Sequence, residues 1–223
     1  MESHGSAVLI SVYRKRAKRY DRSTLLLYLA GFHHWAYRKR AVEFLASCQG
    51  DTVVDIGCGT GLNFSLLQQR VGPSGKIIGV DLTDAMLDQA VERVTAHGWS
   101  NVELVKSDAA DYVFPSKVGG ILSTFALTLV PEFDKVVKKG AVALQPGRRF
   151  VVLDFKRPSG WLMNKAAPFL ARLLTGPFGG NIEMASRKPW QSLQKYLTLI
   201  QFASLYLGGA YIATGENTNP PVS

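Results

Sequence analysis

The 223-residue sequence predicts a doubly wound α/β fold, a mostly parallel sheet with helices on both faces. Three observations carry that class. Short β-branched runs alternate with helical stretches from residue 51 to residue 154. The first such run passes through a glycine-rich turn straight into a helix. The composition, 47% apolar and 10% aromatic, is enough to fill a core and excludes a disordered chain.

The elements follow in order. Residues 7–47 contain no proline and have apolar residues at helical spacing, so they read as helices broken at Gly31. Asp51–Ile56, bounded by Gly50 and Gly57, reads as a strand. Leu62–Arg70 is a helix, and the turn Gly72-Pro73-Ser74-Gly75 leads to a strand over Lys76–Asp81. Thr83 is placed to cap a helix over Asp84–His97, whose first turn is acidic. Strands are expected at Val102–Lys106 and Gly120–Thr124, a helix over Glu132–Ala143 ending at Gln145-Pro146-Gly147, and a strand at Arg149–Asp154. Beyond Lys156 the pattern is less regular. Trp161–Gly180 reads as a helix with a Gly/Pro loop, Pro189–Phe202 as a helix, and Ser204–Glu216 as two short strands around Gly208-Gly209. The two strands bring the sheet to seven. The domain division expected is 1–47 for a basic N-terminal helical lid and 48–223 for the sheet domain.

Charge is distributed unevenly along the chain. Its net value is +9, but residues 1–50 carry nine basic and three acidic side chains, whereas residues 51–153 carry ten and eleven. A near-neutral centre between basic flanks fits a binding domain whose edges meet something anionic. Two cysteines exclude a disulfide scaffold and suit a reducing, cytoplasmic setting. Cys48, His4 and His97 have no metal-ligand spacing, so no metal is expected. No secretory leader is legible, because the basic run follows the apolar stretch Ala7–Ile10 instead of preceding it. Ser23–Phe32 is too short to span a bilayer, and Tyr196–Ala213 is interrupted by Gln201, Ser204 and the glycine pair. The expected location is cytoplasmic, with reversible attachment at the inner membrane face as an option.

The densest local signal is Val53-Val54-Asp55-Ile56-Gly57-Cys58-Gly59-Thr60-Gly61, after a strand and before a helix. Glycines there permit a tight turn and let backbone amides approach a ligand at the helix start. Asp81, at the tip of the next strand about 20 residues on, is placed to accept both hydroxyls of a ribose. The dinucleotide pattern would put its third glycine at Leu62, and Asp55 would repel a pyrophosphate. A ligand with a ribose and a cationic amine suits these carboxylates better than NAD.

Asp55–Gly61 resembles the glycine-rich motif of class I S-adenosylmethionine-dependent methyltransferases. Gly79-Val80-Asp81 with Asp84–Ala90, then Ser107-Asp108-Ala109, Leu122–Val130 and Leu144–Gly147 match in the family's order. The resemblance covers about residues 40–156 and implies a Rossmann-like, seven-stranded fold that binds S-adenosylmethionine and releases S-adenosylhomocysteine. It implies that Asp55, Gly57, Gly59 and Gly61 line the methionine and ribose part, with Cys58 inside the loop. Asp81 then takes the ribose hydroxyls, Leu82 packs on adenine, Ser107, Asp108 and Ala109 lie along its edge, and Thr124 meets the methionine end.

Methyl transfer is an in-line displacement whose reactivity comes from the sulfonium, so the protein mainly orients the acceptor and excludes water. The N-terminal helices cover the cofactor in similar enzymes, and Tyr20-Asp21 resembles a pair often found there. His33 and His34 are candidate bases and Tyr20 a candidate lid residue. Tyr13, Tyr28, Trp35, Lys156, Arg157, Arg187 and Lys188 are candidate acceptor contacts. The basic run Arg14–Arg19 beside Leu25–Tyr28 suits an anionic membrane surface, and equally a solvated face or, less well, RNA. The Tyr13–Glu43 and Arg187–Trp190 stretches resemble the phosphatidylethanolamine N-methyltransferases and the ubiquinone/menaquinone C-methyltransferases. The expected acceptor is a phospholipid amine head group at a membrane surface; the alternatives are a quinone or other small acceptor, or a non-catalytic RNA- or lipid-binding protein.

Overall fold

The computed structural model describes residues 31–157 and 186–219, together with Ser11 and Arg14. Seven strands form one sheet in the order β3-β2-β1-β4-β5-β7-β6. They are β1 Thr52–Ile56, β2 Lys76–Asp81, β3 Val102–Lys106, β4 Gly120–Thr124, β5 Arg149–Phe155, β6 Thr198–Leu205 and β7 Ala210–Glu216. The first five are parallel to one another, and β7 runs antiparallel to both β5 and β6. The helices are α1 His34–Phe44, α2 Phe64–Val71, α3 Asp84–His97, α4 Phe133–Ala143 and α5 Pro189–Tyr196.

Alternation along each strand sends side chains into two cores. Val53, Ile77, Leu122, Val151 and Ile212 meet Ala41, Val42 and Leu45 at α1, Phe64 and Leu67 of α2, and Met86 and Ala90 of α3. Val54, Ile78, Ile121, Phe150, Val152 and Tyr211 meet Val136 and Val137 of α4 and Leu193 of α5 on the other face. The division expected at residue 47 therefore separates two segments that share a core. Apart from Ser11 and Arg14, the expected lid before Gly31, with Tyr13, Tyr20 and Tyr28, lies outside the described residues, as does Trp161–Gly180.

Two details differ from the sequence reading. The helix expected over Pro189–Phe202 ends at Tyr196, and Thr198–Leu205 is a strand. Its alternating exposure and its ladder to β7 show the cause: the pairing partner lies beyond the turn, where a window along one helix cannot register it. Thr83 does sit at the N-cap of α3, but its side chain makes no capping bond; its amide and hydroxyl both go to Asp81.

Gly79 of β2 shows how the two layers fit. A Cβ there would come within 2.7 Å of the Phe64 ring and 3.0 Å of Cys58 Sγ. The glycine lets the first helix after the loop lie directly on the sheet. Gly79→Ala is expected to destabilise the fold by about 1–3 kcal/mol through overpacking, read as a lowered urea midpoint with unchanged slope; an unaltered midpoint would mean that Phe64 moves aside freely.

Candidate functional site

The crevice opens at the carboxyl ends of β1, β2 and β4, where the strand order reverses direction from β1. Its floor is the loop between β1 and α2. The Val80 carbonyl accepts the Gly57 amide at 2.8 Å and the Cys58 amide at 3.0 Å, clamping the loop to β2. Gly57 has φ 68°, and a Cβ there would lie 2.3 Å from Ala126 Cβ. Only glycine lets the loop pass this close to the turn after β4.

Asp81 closes the β2 side of the crevice. Its carboxylate accepts the Gly59 amide at 2.9 Å and the Thr83 amide at 2.8 Å. Burial pushes its pKa up, while these bonds pull it back. The side chain lines the crevice with Gly57, Cys58, Gly59 and Leu82. Ser107, Asp108, Ala109 and Thr124 line it as well. The Asp108 carboxylate also accepts the Ala110 amide at 2.9 Å, so it fixes its own turn at the crevice edge. Burial raises the Cys58 thiol well above its ordinary pKa, which suits a packing role in the loop.

Asp55 is placed differently from the expectation. It is wholly buried, and neither it nor Gly61 is among the crevice-lining residues. Asn63 Nδ2 donates to both its oxygens, at 3.1 and 3.0 Å. Arg38 Nη1 donates to Asn63 Oδ1 at 2.9 Å and to Thr124 Oγ1 at 2.5 Å. Its guanidinium also lies 5.2 Å from the centre of the Phe125 ring. Arg38 is only 5% exposed, yet it lines the crevice. The charge that reaches the ligand side at this end is therefore a cation, and the carboxylate balances it from behind. Burial pushes the Asp55 pKa up to about 7 against the Asn63 bond and the Arg38 charge.

The remaining candidates are scattered. His33 is exposed and His34 half-buried at the start of α1; neither imidazole lines the crevice, so neither is positioned as the base. Trp35 is 42% exposed on the same turn, away from the lining. The Lys156 ammonium lies 5.4 Å from the Phe202 ring centre, and Arg157 and Lys188 are exposed. Arg187 donates to the Thr128 carbonyl at 2.9 Å, bracing the turn that precedes crevice residues Leu129–Pro131. Arg14, from the basic run expected to suit a membrane surface or a solvated face, forks onto Asp84 at the first turn of α3, with Nε–Oδ1 at 2.8 Å and Nη2–Oδ2 at 2.5 Å. Asp84 directly follows crevice residue Thr83, so the Arg14 side chain lies beside that end of the crevice.

Arg38, Asn63, Phe125 and Met86 are site or supporting residues that the motif reading missed. Arg38 stands in the run Arg38-Lys39-Arg40 of α1, and nothing in the sequence singles it out or pairs it with Asn63.

Strand order, antiparallel β7 and a glycine loop facing Asp81 define the fold of class I S-adenosylmethionine-dependent methyltransferases. The ubiE/COQ5 methyltransferase family matches residues 1–199, and the chain belongs to it. It is 29% identical over 167 residues to the ubiquinone/menaquinone biosynthesis C-methyltransferase UbiE of Pseudomonas putida (strain W619), covering 74% of this chain and 64% of that one. To the Pseudomonas fluorescens (strain Pf0-1) protein of the same name it is 30% identical over 184 residues, 78% of this chain and 71% of the other. The chain thus spans under two thirds of the Pseudomonas putida relative. Among solved structures, the methyltransferase bound to the Trm112 activator of Haloferax volcanii superposes with TM-score 0.70 at 16% identity, covering 93% of this chain and 98% of that one. Geranyl diphosphate C-methyltransferase from Streptomyces coelicolor, bound to S-adenosyl-L-homocysteine, gives 0.63 at 17% identity, over 82% and 78% of the two chains.

The folded pKa of Asp55 lies above the ordinary aspartate value of ~3.9, so the folded chain holds a proton that the unfolded chain releases. The stability this adds is complete below about pH 4 and is lost as the pH rises through about 7. Asp55→Asn should make stability fall less steeply across that window, with a residual slope from Asp154, which burial raises to about 6, and from Asp81, which burial also raises. Urea titrations at several pH values test this; a slope identical to wild type places the titration elsewhere.

Proposed function

We propose that this chain is an S-adenosylmethionine-dependent methyltransferase that methylates a ring carbon of a quinol-type small acceptor. The observation that carries the reading is the loop-anchored Asp81 facing a crevice whose other end presents Arg38. Asp81 suits the ribose hydroxyls, and Arg38, held by Asn63 and Thr124, suits the carboxylate of the methionine part. The open side of Gly59, where a Cβ would meet nothing within 4 Å, leaves room between them. When bound, the cofactor supplies an electrophilic methyl group on sulfur. Leu82, Met86, Phe125 and Val130 supply an apolar lining that keeps water from competing with the acceptor.

The phospholipid amine expected from the basic flanks is the weaker reading. The relatives in the family carry quinone-pathway names. Arg14 is engaged on Asp84. Among the described residues, no helix is long and apolar enough to cross a membrane.

Methyl-labelled S-adenosylmethionine with a chemically reduced demethylmenaquinol should give a C-methylated product, whereas phosphatidylethanolamine should take up no label. Label appearing only in the phospholipid would overturn the assignment. Asp81→Ala is expected to raise the cofactor Kd about tenfold or more, equivalent to roughly 1.4 kcal/mol, in calorimetry; an unchanged Kd would remove Asp81 from the cofactor site.

A further inference from the structure

Five aromatic rings meet beside the crevice at the carboxyl ends of β4 and β5. Phe32, 1% exposed, is their hub. Its ring centre lies 5.6 Å from both Phe125 and Phe155, 5.4 Å from Tyr37 and 5.1 Å from Tyr206, with the two tyrosines edge-on. Phe125 and Phe155 also meet at 5.0 Å. Only Phe125 of the five lines the crevice. The series therefore runs outward from the crevice to Tyr37 and Tyr206, its two half-buried members and the two that carry a hydroxyl.

Both ends of this wall are held in left-handed backbone that bulky residues avoid. Phe125 has φ 58°, Tyr206 has 43°, and Leu207 follows at 53°. Hydrogen bonds fix each one: the Phe125 amide donates to the Leu153 carbonyl at 2.7 Å, and the Gly209 amide to the Tyr206 carbonyl at 2.9 Å. The neighbouring Gly208 adopts φ 85° without such a cost, so the turn had a residue type available for this geometry and uses it only after Tyr206 and Leu207. Strain kept at two aromatic positions on one wall points to a use for those rings. Leu207 beside them is 78% exposed, an apolar side chain held out at the wall's outer end.

We propose that Tyr37 and Tyr206 form the acceptor subsite, taking a planar aromatic diol whose ring rests along the wall and whose oxygens bond the two phenols. An apolar tail on that diol leaves past Leu207. The inference rests on the quinol reading above and assigns its acceptor-side residues. Burial and the nearby Tyr206 raise the Tyr37 pKa, so this phenol stays a donor at neutral pH. Polar partners on an aromatic wall discriminate against analogues that lack the oxygens far better than the wall alone would.

The test uses the full chain with two reduced naphthoquinols, one prenylated and one not. Tyr37→Phe and Tyr206→Phe should each raise the acceptor KM about five- to tenfold, with kcat within about twofold and cofactor Kd unchanged. Leu207→Ser should raise the KM of the prenylated quinol more than that of the other. Tyr206→Gly removes the phenol and its packing on Phe32 together, so its diagnostic readout is the split: KM should rise with kcat and cofactor Kd held, which a merely structural role would not produce. Unchanged KM in both phenylalanine variants, or a cofactor Kd that moves with KM, overturns the subsite. Calorimetric binding of 1,4-naphthoquinone to the chain with S-adenosylhomocysteine separates this from the parent reading. Binding that Tyr206→Ala abolishes, in a wild type without turnover, sinks the reading and keeps the subsite; turnover insensitive to Tyr206→Ala does the reverse.

Discussion

The site depends on burying one carboxylate without stranding it. Asp55 has no contact with water, and a lone charge there would cost more than the loop could supply. Asn63 spans both its oxygens and hands the polarity on to Thr124 and Arg38. These four residues come from β1, the start of α2, the end of β4 and the middle of α1. One network therefore fixes the glycine loop, the turn after β4 and the first described helix relative to one another. The same network carries the Arg38 cation to the crevice wall, so one set of contacts sets both the charge there and the packing of α1.

The alternating half of the fold was plain from the sequence because each of its strands is a short apolar run closed by glycine, proline or a capping residue. β1 to β5 lie where those boundaries put them, within a residue or so. The ligand loop was equally legible, since Gly57, Gly59 and Asp81 act through backbone geometry and one strand tip. What was not legible depends on contacts across the sheet. The β6 strand pairs with β7 along its length, and Asp134 of α4 accepts from both Lys195 and Tyr196 where the helix before it ends. Arg38 reaches the crevice from a helix that precedes the whole motif.

Two carboxylates at adjacent strand tips were expected to face the ligand together. Asp81 does line the crevice, but Asp55 turns inward, and the surface near it is set by Arg38. A diphosphate would still meet Asp81 at the ribose side, whereas an amino acid carboxylate would find a partner at the opposite end. The histidines were candidate bases because they stand in the N-terminal helical region; neither lines the crevice.

The reversed strand β7 has one more effect. By pairing Phe155 with Ala210, it carries the 206–209 turn back to the ligand end of the sheet. A parallel last strand would have sent that connection to the far side. Two stretches of chain well apart in sequence thus end on the same side of the sheet, the glycine loop inside the crevice and the 206–209 turn beside it. If that turn does receive the acceptor, changes confined to the last hairpin could retune the recipient without touching the loop that faces Asp81.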